Sequence, residues 1–191
     1  MKILGIDPGT NILGFGVIEY SNKSFKHIDH GIFKLDHLET YEKLSNIFEG
    51  IQGLIEKHQI DEFAVEAPFF GENAQSMLKL GRAQGVAIAA AAMLKTPITE
   101  YAPKKIKLSL TGKGYSSKEQ VAQMVKQLLQ LKRLPQTLDA SDALAVAITH
   151  SLQNKVEIKN QEKSNKGNLI PSKKGKNSWD AFIKNNPDRI A

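Results

Sequence analysis

The chain has 191 residues, 41% of them apolar, and a formal net charge of +6. That supports one domain with a real core, and no run of about 18 uninterrupted apolar residues is present to span a membrane. Cysteine is absent and the start, Met1-Lys2 followed by a strand-like run, lacks a signal-peptide pattern, so disulfides, thiolate metal sites and a Cys nucleophile are excluded and a cytoplasmic protein is predicted.

The charge is unevenly placed. Residues 1–150 hold 17 Lys/Arg against 16 Asp/Glu, whereas 151–191 hold 9 against 4. The basic character belongs mostly to the tail and suggests a polyanionic partner.

Lys2–Asp7 reads as a first strand ending in a carboxylate, and Pro8-Gly9 as the turn after it. Gly14–Ser21 and Phe25–Lys34 read as two more strands joined at Asn22-Lys23, completing an antiparallel meander. From Thr40 to His58 the apolar residues Tyr41, Leu44, Ile47, Phe48, Ile51, Leu54 and Ile55 fall at helical spacing. Asp61–Ala67 is a short strand containing Glu66, and the helical crossover predicts that it runs parallel to the first. Asn73–Leu94 is a long helix. Its half from Gly81 to Met93 is small and apolar nearly all round, which fits packing on the sheet or a subunit interface. Pro97–Tyr101 is a fifth strand and Pro103–Leu110 a short helix with proline at a favourable first position. Ser116 or Ser117 caps a helix running to about Leu131, and Leu138–Leu152 is the last helix. The domain therefore spans 1–152. The polar, Lys/Asn-rich stretch 153–191 reads as a disordered basic tail, with a short amphipathic segment near 178–183 (Trp179, Phe182 and Ile183 on one helical face).

The fold class is α/β: a five-stranded mixed sheet, three antiparallel strands and then two parallel, flanked by helices. Acids mark the ends of strands one and four, Asp7 and Glu66, where open α/β sheets place their sites. Asp139 and Asp142 stand i, i+3 at the start of the last helix and so share a face. Alone, that pair would also suit the helix dipole. Four carboxylates converging at one end of a sheet cannot all ionise without cations. Hard oxygen donors select Mg²⁺ or Mn²⁺. Two such ions, about 3.5–4 Å apart, serve in-line attack on a phosphodiester.

Four motifs stand in order: Gly5-Ile6-Asp7-Pro8-Gly9-Thr10, Val65-Glu66 with Phe69 beyond, Leu78-Lys79-Leu80-Gly81-Arg82-Ala83-Gln84-Gly85-Val86, and Asp139-Ala140-Ser141-Asp142-Ala143-Leu144-Ala145. On these motifs, from Met1 to about Leu152, the chain resembles the RuvC family of Holliday-junction resolvases, within the RNase H-like nuclease superfamily. The resemblance implies that Asp7, Glu66, Asp139 and Asp142 are metal-binding catalytic acids served by Mg²⁺. It implies a homodimer that nicks two opposing strands of a four-way junction symmetrically, leaving 5′-phosphate and 3′-hydroxyl ends. A branch-migration helicase complex is a further expected partner.

Lys104, Lys105, Lys107, Lys113 and Lys118 form the densest basic stretch outside the tail, with no acid among them. Such a run is usually a solvated face; beside an acid cluster it can track a phosphate backbone. The resemblance places Lys104, Lys107 and Lys118 near the scissile phosphate and makes Phe69 an aromatic that stacks on an unpaired base; Lys105, from the basic run itself, is a further candidate DNA contact.

Two other function classes compete. The Gly-Ile-Asp-x-Gly-Thr turn also occurs in ATPases of the actin and sugar-kinase superfamily, but that fold needs two such lobes, which a folded region of about 150 residues cannot supply. A non-catalytic junction-binding module would be favoured if one of the four acids were replaced, and none is. Within the enzyme class, the nearest rival is a general RNase H-like nuclease acting on RNA–DNA hybrids or damaged DNA.

Overall fold

The structure, a computed structural model, describes residues 1–68 and 73–164, with side chains as far as Gln153. Phe69 and the 178–183 segment lie outside the described residues. The chain divides into two units, Met1–Val156 and Glu157–Ala191, and the first carries the sheet.

Three strands, β1 (Lys2–Asp7), β2 (Ile12–Ser21) and β3 (Ser24–Lys34), are followed by helix α1 (Thr40–His58) and strand β4 (Glu62–Glu66). Helix α2 (Ala74–Met93), strand β5 (Ile98–Tyr101) and helices α3 (Pro103–Thr111), α4 (Lys118–Leu128) and α5 (Leu138–Ser164) complete the order. The sheet order is β3-β2-β1-β4-β5, with β1–β2 and β2–β3 antiparallel and β1–β4 and β4–β5 parallel. This is the mixed sheet the sequence predicts.

Local chemistry explains the joints. Asn22 and Lys23 both take positive φ, 50° and 65°, as a two-residue hairpin turn with the twist of its strands requires. Ser117 caps α4: it accepts from the Gln120 N–H, while the Gln120 side chain accepts from the Ser117 N–H at 3.0 Å. The last helix passes its predicted end at Leu152 and continues to Ser164. The residues beyond Leu152 are mostly polar, but no proline or glycine interrupts them before Gly167.

Strand parity sorts the core into two layers. Leu4, Ile6, Leu13, Val17, Phe63 and Val65 face α1 and α2, meeting Ile47, Ile51, Ala83 and Ala87. Ile3, Ile18 and Ala64 face the other way, toward Ile106, Val121, Val125, Leu144 and Ile148 of α3, α4 and α5. Full burial of each large aliphatic side chain contributes about 1.5–3 kcal/mol. Because side chains alternate, Asp7 and Glu66 share the side of Ile3, Gly5 and Ala64, and so face the layer that contains α5.

Candidate active site

Parallel pairing of β1 with β4 sets Ile6 beside Val65, so the next residues along, Asp7 and Glu66, end neighbouring strands together. Antiparallel pairing sets Asp7 opposite Gly14. Helix α5 then descends onto a floor without side chains. A methyl added at Gly5 would meet the Ala143 carbonyl oxygen at 2.2 Å, and one at Gly14 would meet that of Asp139 at 2.1 Å. Only glycine permits this approach. It brings the start of α5, with Asp139 and Asp142, over the ends of β1 and β4.

The acids form one electrostatic unit. Burial, then the charges of Glu66 and Asp142, push the Asp7 carboxyl up to about 8. Lys118 opposes this rise and Asp139 adds to it. Burial and Asp142 push Glu66 up to about 7, against Lys118 and Lys107. Lys118 Nζ donates to Asp142 Oδ2 at 2.7 Å, with Asp142 largely covered. Burial works against the Lys118 charge, but Asp142, Asp7 and Asp139 outweigh it and raise its affinity for the proton.

Asp7, Glu66, Asp142, Lys107 and Lys118 line one small cavity, closed below by Pro103, Ile106 and Val121. Asp7 and Glu66 also line an adjoining cavity of about 210 Å³ with Pro68, Leu80 and Gln84. Asp139 lines neither but acts on Asp7 and Lys118 through its charge. Lys104 is exposed and its stem lies on Gly114, where an added methyl would meet its Cγ at 2.8 Å. Lys105 holds its ammonium 5.1 Å above the Tyr101 ring.

Gln84 is a site residue that sequence reasoning passes over. It is buried and its amide donates to Glu100 at 2.7 Å. The available signals were its place in the third motif and a lone amide on the small apolar face of α2. His150, by contrast, is core: it is bonded to Glu62 and, through Nδ1, to Tyr101 at 2.9 Å.

The donor set is oxygen only, which suits a hard divalent cation. Asp7 and Glu66 are raised toward neutrality by burial first and by neighbouring carboxylates second, and a bound cation would favour their ionised forms. Among the described residues, no three acid or histidine side chains are gathered closely enough to hold an ion. The Lys118 ammonium supplies the positive charge among them instead.

A mixed five-stranded sheet with acids at the ends of its first and fourth strands, and on the helix crossing them, defines the RNase H-like nucleases. Comparison with known proteins narrows this class. The family described as crossover junction endodeoxyribonuclease RuvC matches residues 3–150. A protein of that description from Cytophaga hutchinsonii is 51% identical, over 98% of this chain and 87% of its own. One from Bacteroides fragilis is 46% identical, over 98% and 95%. The solved structure of Thermus thermophilus RuvC in complex with a Holliday junction substrate is similar with a TM-score of 0.78 and 30% identity, covering 82% of this chain and 96% of that one. This chain belongs to the RuvC family of crossover junction endodeoxyribonucleases.

Proposed function

We propose that the chain is a Mg²⁺-dependent endonuclease that resolves four-way DNA junctions by paired symmetric nicks, with Asp7, Glu66, Asp139 and Asp142 as its catalytic acids. One observation supports the assignment of residues: three separate elements, β1, β4 and α5, bring Asp7, Glu66 and Asp142 to the wall of one small cavity, where burial first and neighbouring carboxylate charge second push Asp7 and Glu66 up toward neutrality. When bound, divalent cations supply a water made acidic enough to attack at neutral pH and charge to stabilise the departing oxygen. Mn²⁺ has the same donor preference and can substitute.

The chain's own residues do the rest. Ionised Asp7 and Glu66 would hold the cations from the sheet, and Asp142 and Asp139 would hold them from the helix. Lys107 and Lys118 face the same cavity and bind the non-bridging oxygens of the scissile phosphate. Lys118 would give up Asp142 where that carboxylate holds a cation, and its strongly held proton keeps it positive. The apolar wall of Pro103, Ile106 and Val121 limits the water present. The water oxygen bonds to phosphorus and the P–O3′ bond breaks. The attacking water gives one proton to solvent, and the leaving 3′ oxygen takes one proton from solvent, ending as a hydroxyl beside a 5′-phosphate.

Lys104 and Lys105 extend the phosphate track outward, and Phe69 stacks on an unpaired base at the crossover. The active form is a homodimer, because twofold-related sites match twofold-related strands. The outward face of α2 supports this: Leu78 and Met93 are exposed by 60% and 68%, and the space beside Gly81 and Gly85 is open. The basic tail, 153–191, serves as a tether to DNA or to a branch-migration helicase complex. The protein works in the cytoplasm. Among the described residues, no helix is long and apolar enough to cross a membrane.

The deciding experiment is cleavage of end-labelled four-way junctions in Mg²⁺ or EDTA, with duplex, flap and RNA–DNA hybrid controls. Paired nicks in junctions alone, lost in EDTA and in Asp7→Asn, are expected. Preferential cutting of hybrid or duplex would replace the resolvase reading with that of a general nuclease.

A further inference from the structure

We propose that a second, cation-lined cavity beside the acids holds a backbone phosphate of the DNA strand being cut, adjacent to the scissile one, and that Lys79 and Arg82 are positioning residues for it. The proposal rests on the nuclease reading above and adds a contact that the four acids and the Lys104–Lys118 stretch do not supply.

The cavity has a volume of about 230 Å³ and lies between the β1–β2 turn, the start of α1 and the first half of α2. Its polar walls are Thr10, Thr40, Lys43, Ser76, Lys79 and Arg82. Among the described residues no acidic side chain lines it, although residues 1–150 as a whole are nearly balanced in charge. Lys43 Nζ donates to the Thr10 carbonyl and to Asn11 Oδ1, each at 3.2 Å, which fixes the turn and directs one cation inward. Among the described residues, Lys79 and Arg82 make no ion pair or hydrogen bond. Three cations around one concavity repel one another, and a bound anion removes that cost.

Its position identifies the anion. Gly9 and Thr10 line this cavity, while Asp7 and Pro8 of the same turn line the acid cavity. Helix α2 likewise turns Leu80 and Gln84 to the acids and Lys79 and Arg82 to the cations. The two cavities therefore flank one turn; Lys107 and Lys118 come from the α3–α4 side of the sheet, whereas the cation cavity lies on the α1–α2 side. A strand whose scissile phosphate sits at the acids has a neighbouring phosphate to place there. Among the described residues no aromatic side chain lines the cavity, and hydroxyls with a guanidinium suit phosphate oxygens.

The test is junction binding in Mg²⁺ by the full chain carrying Asp7→Asn, which prevents cutting, with and without Lys79→Gln and Arg82→Gln. Both side chains are exposed, so melting temperature and dimer sedimentation should stay unchanged. The readouts are affinity against salt, and affinity for junctions with one methylphosphonate at each position near the cut. The double variant should bind about fivefold to tenfold more weakly, and its salt slope should fall by about 1. One methylphosphonate position should weaken binding by the Asp7→Asn protein and have no effect on the double variant. An unchanged salt slope, or the same methylphosphonate profile in both proteins, would overturn the proposal. So would inorganic phosphate that protects the parent from heat but not the double variant while junction binding is equal in the two, since the cavity would then serve a free anion. Failure of the unmodified protein to cut any junction would fault the nuclease reading instead, and the binding data would still decide the cavity.

Discussion

Gly14 lies directly beneath the carbonyl of Asp139, with 2.1 Å between that oxygen and the place a β-carbon would occupy. The close approach couples the sheet to the helix that carries two of the four acids. Gly14→Ala should therefore shift the start of α5 away from Asp7. Overpacking of this kind costs about 1–3 kcal/mol. Cleavage should fall further than the melting temperature suggests, because a displacement of about 1 Å at reacting groups costs on the order of 100-fold. Gly53 is the control. It is exposed in α1 with open space around it, so Gly53→Ala should stabilise by about 0.5–1 kcal/mol and leave cleavage unchanged. Thermal melts and junction cleavage of the two variants test the pair.

The raised carboxyls make metal-free stability fall with pH. Asp7 moves from 3.8 to about 8 and Glu66 from 4.5 to about 7 on folding. Between those limits the folded protein holds protons that the unfolded chain has released, so stability drops as pH rises. The loss begins near pH 4 and is complete a little above pH 8. Mg²⁺ binds the ionised carboxyls, so the melting temperature it adds should grow from pH 6 to pH 8.5. Asp7→Asn should raise metal-free stability at pH 8 by about 1–3 kcal/mol, remove most of the Mg²⁺ response and abolish cleavage. Melting curves in EDTA and in Mg²⁺ across pH check all three. A metal-free melting temperature that is flat or rising over this range would contradict the site's electrostatics.

The sheet was legible because its strands obey local rules: the Asn22-Lys23 turn, the alternation along Ile3–Ile6 and the amphipathic period of Thr40–His58 each point the same way. Asp7 and Glu66 were legible for the same reason, since strand ends are read from local pattern. The seat of α5 was not. Nothing local says that Gly5 and Gly14 form a floor for a helix more than a hundred residues later. Nor does sequence show that Lys118 reaches Asp142, because the lysine opens one helix and the aspartate another. Lys104, Lys105 and Lys107 are adjacent in sequence, yet the turn of α3 sends only Lys107 into the acid cavity.

That divergence in placement predicts two different roles for the lysines. Lys107 and Lys118 oppose the rise of the Glu66 carboxyl, and Lys118 does the same for Asp7. Removing either cation should leave the acids harder to ionise in the metal-free protein, as well as depriving the scissile phosphate of a partner. Lys118→Ala and Lys107→Ala should therefore lower the single-turnover cleavage rate by about 10- to 1000-fold at saturating protein, about 1.4 kcal/mol per tenfold. The loss in Lys118→Ala should be partly recovered as pH rises and the acids ionise. Lys104→Ala and Lys105→Ala should leave that rate nearly intact. Their effect should appear in affinity, as a salt slope reduced by about 1 for each phosphate that is no longer neutralised. Single-turnover cleavage and salt-dependent binding, run on all four variants, assign the two roles. Equal rate losses across the four would mean that the lysines act as one undivided patch, and the division made by the fold would have no counterpart in the chemistry.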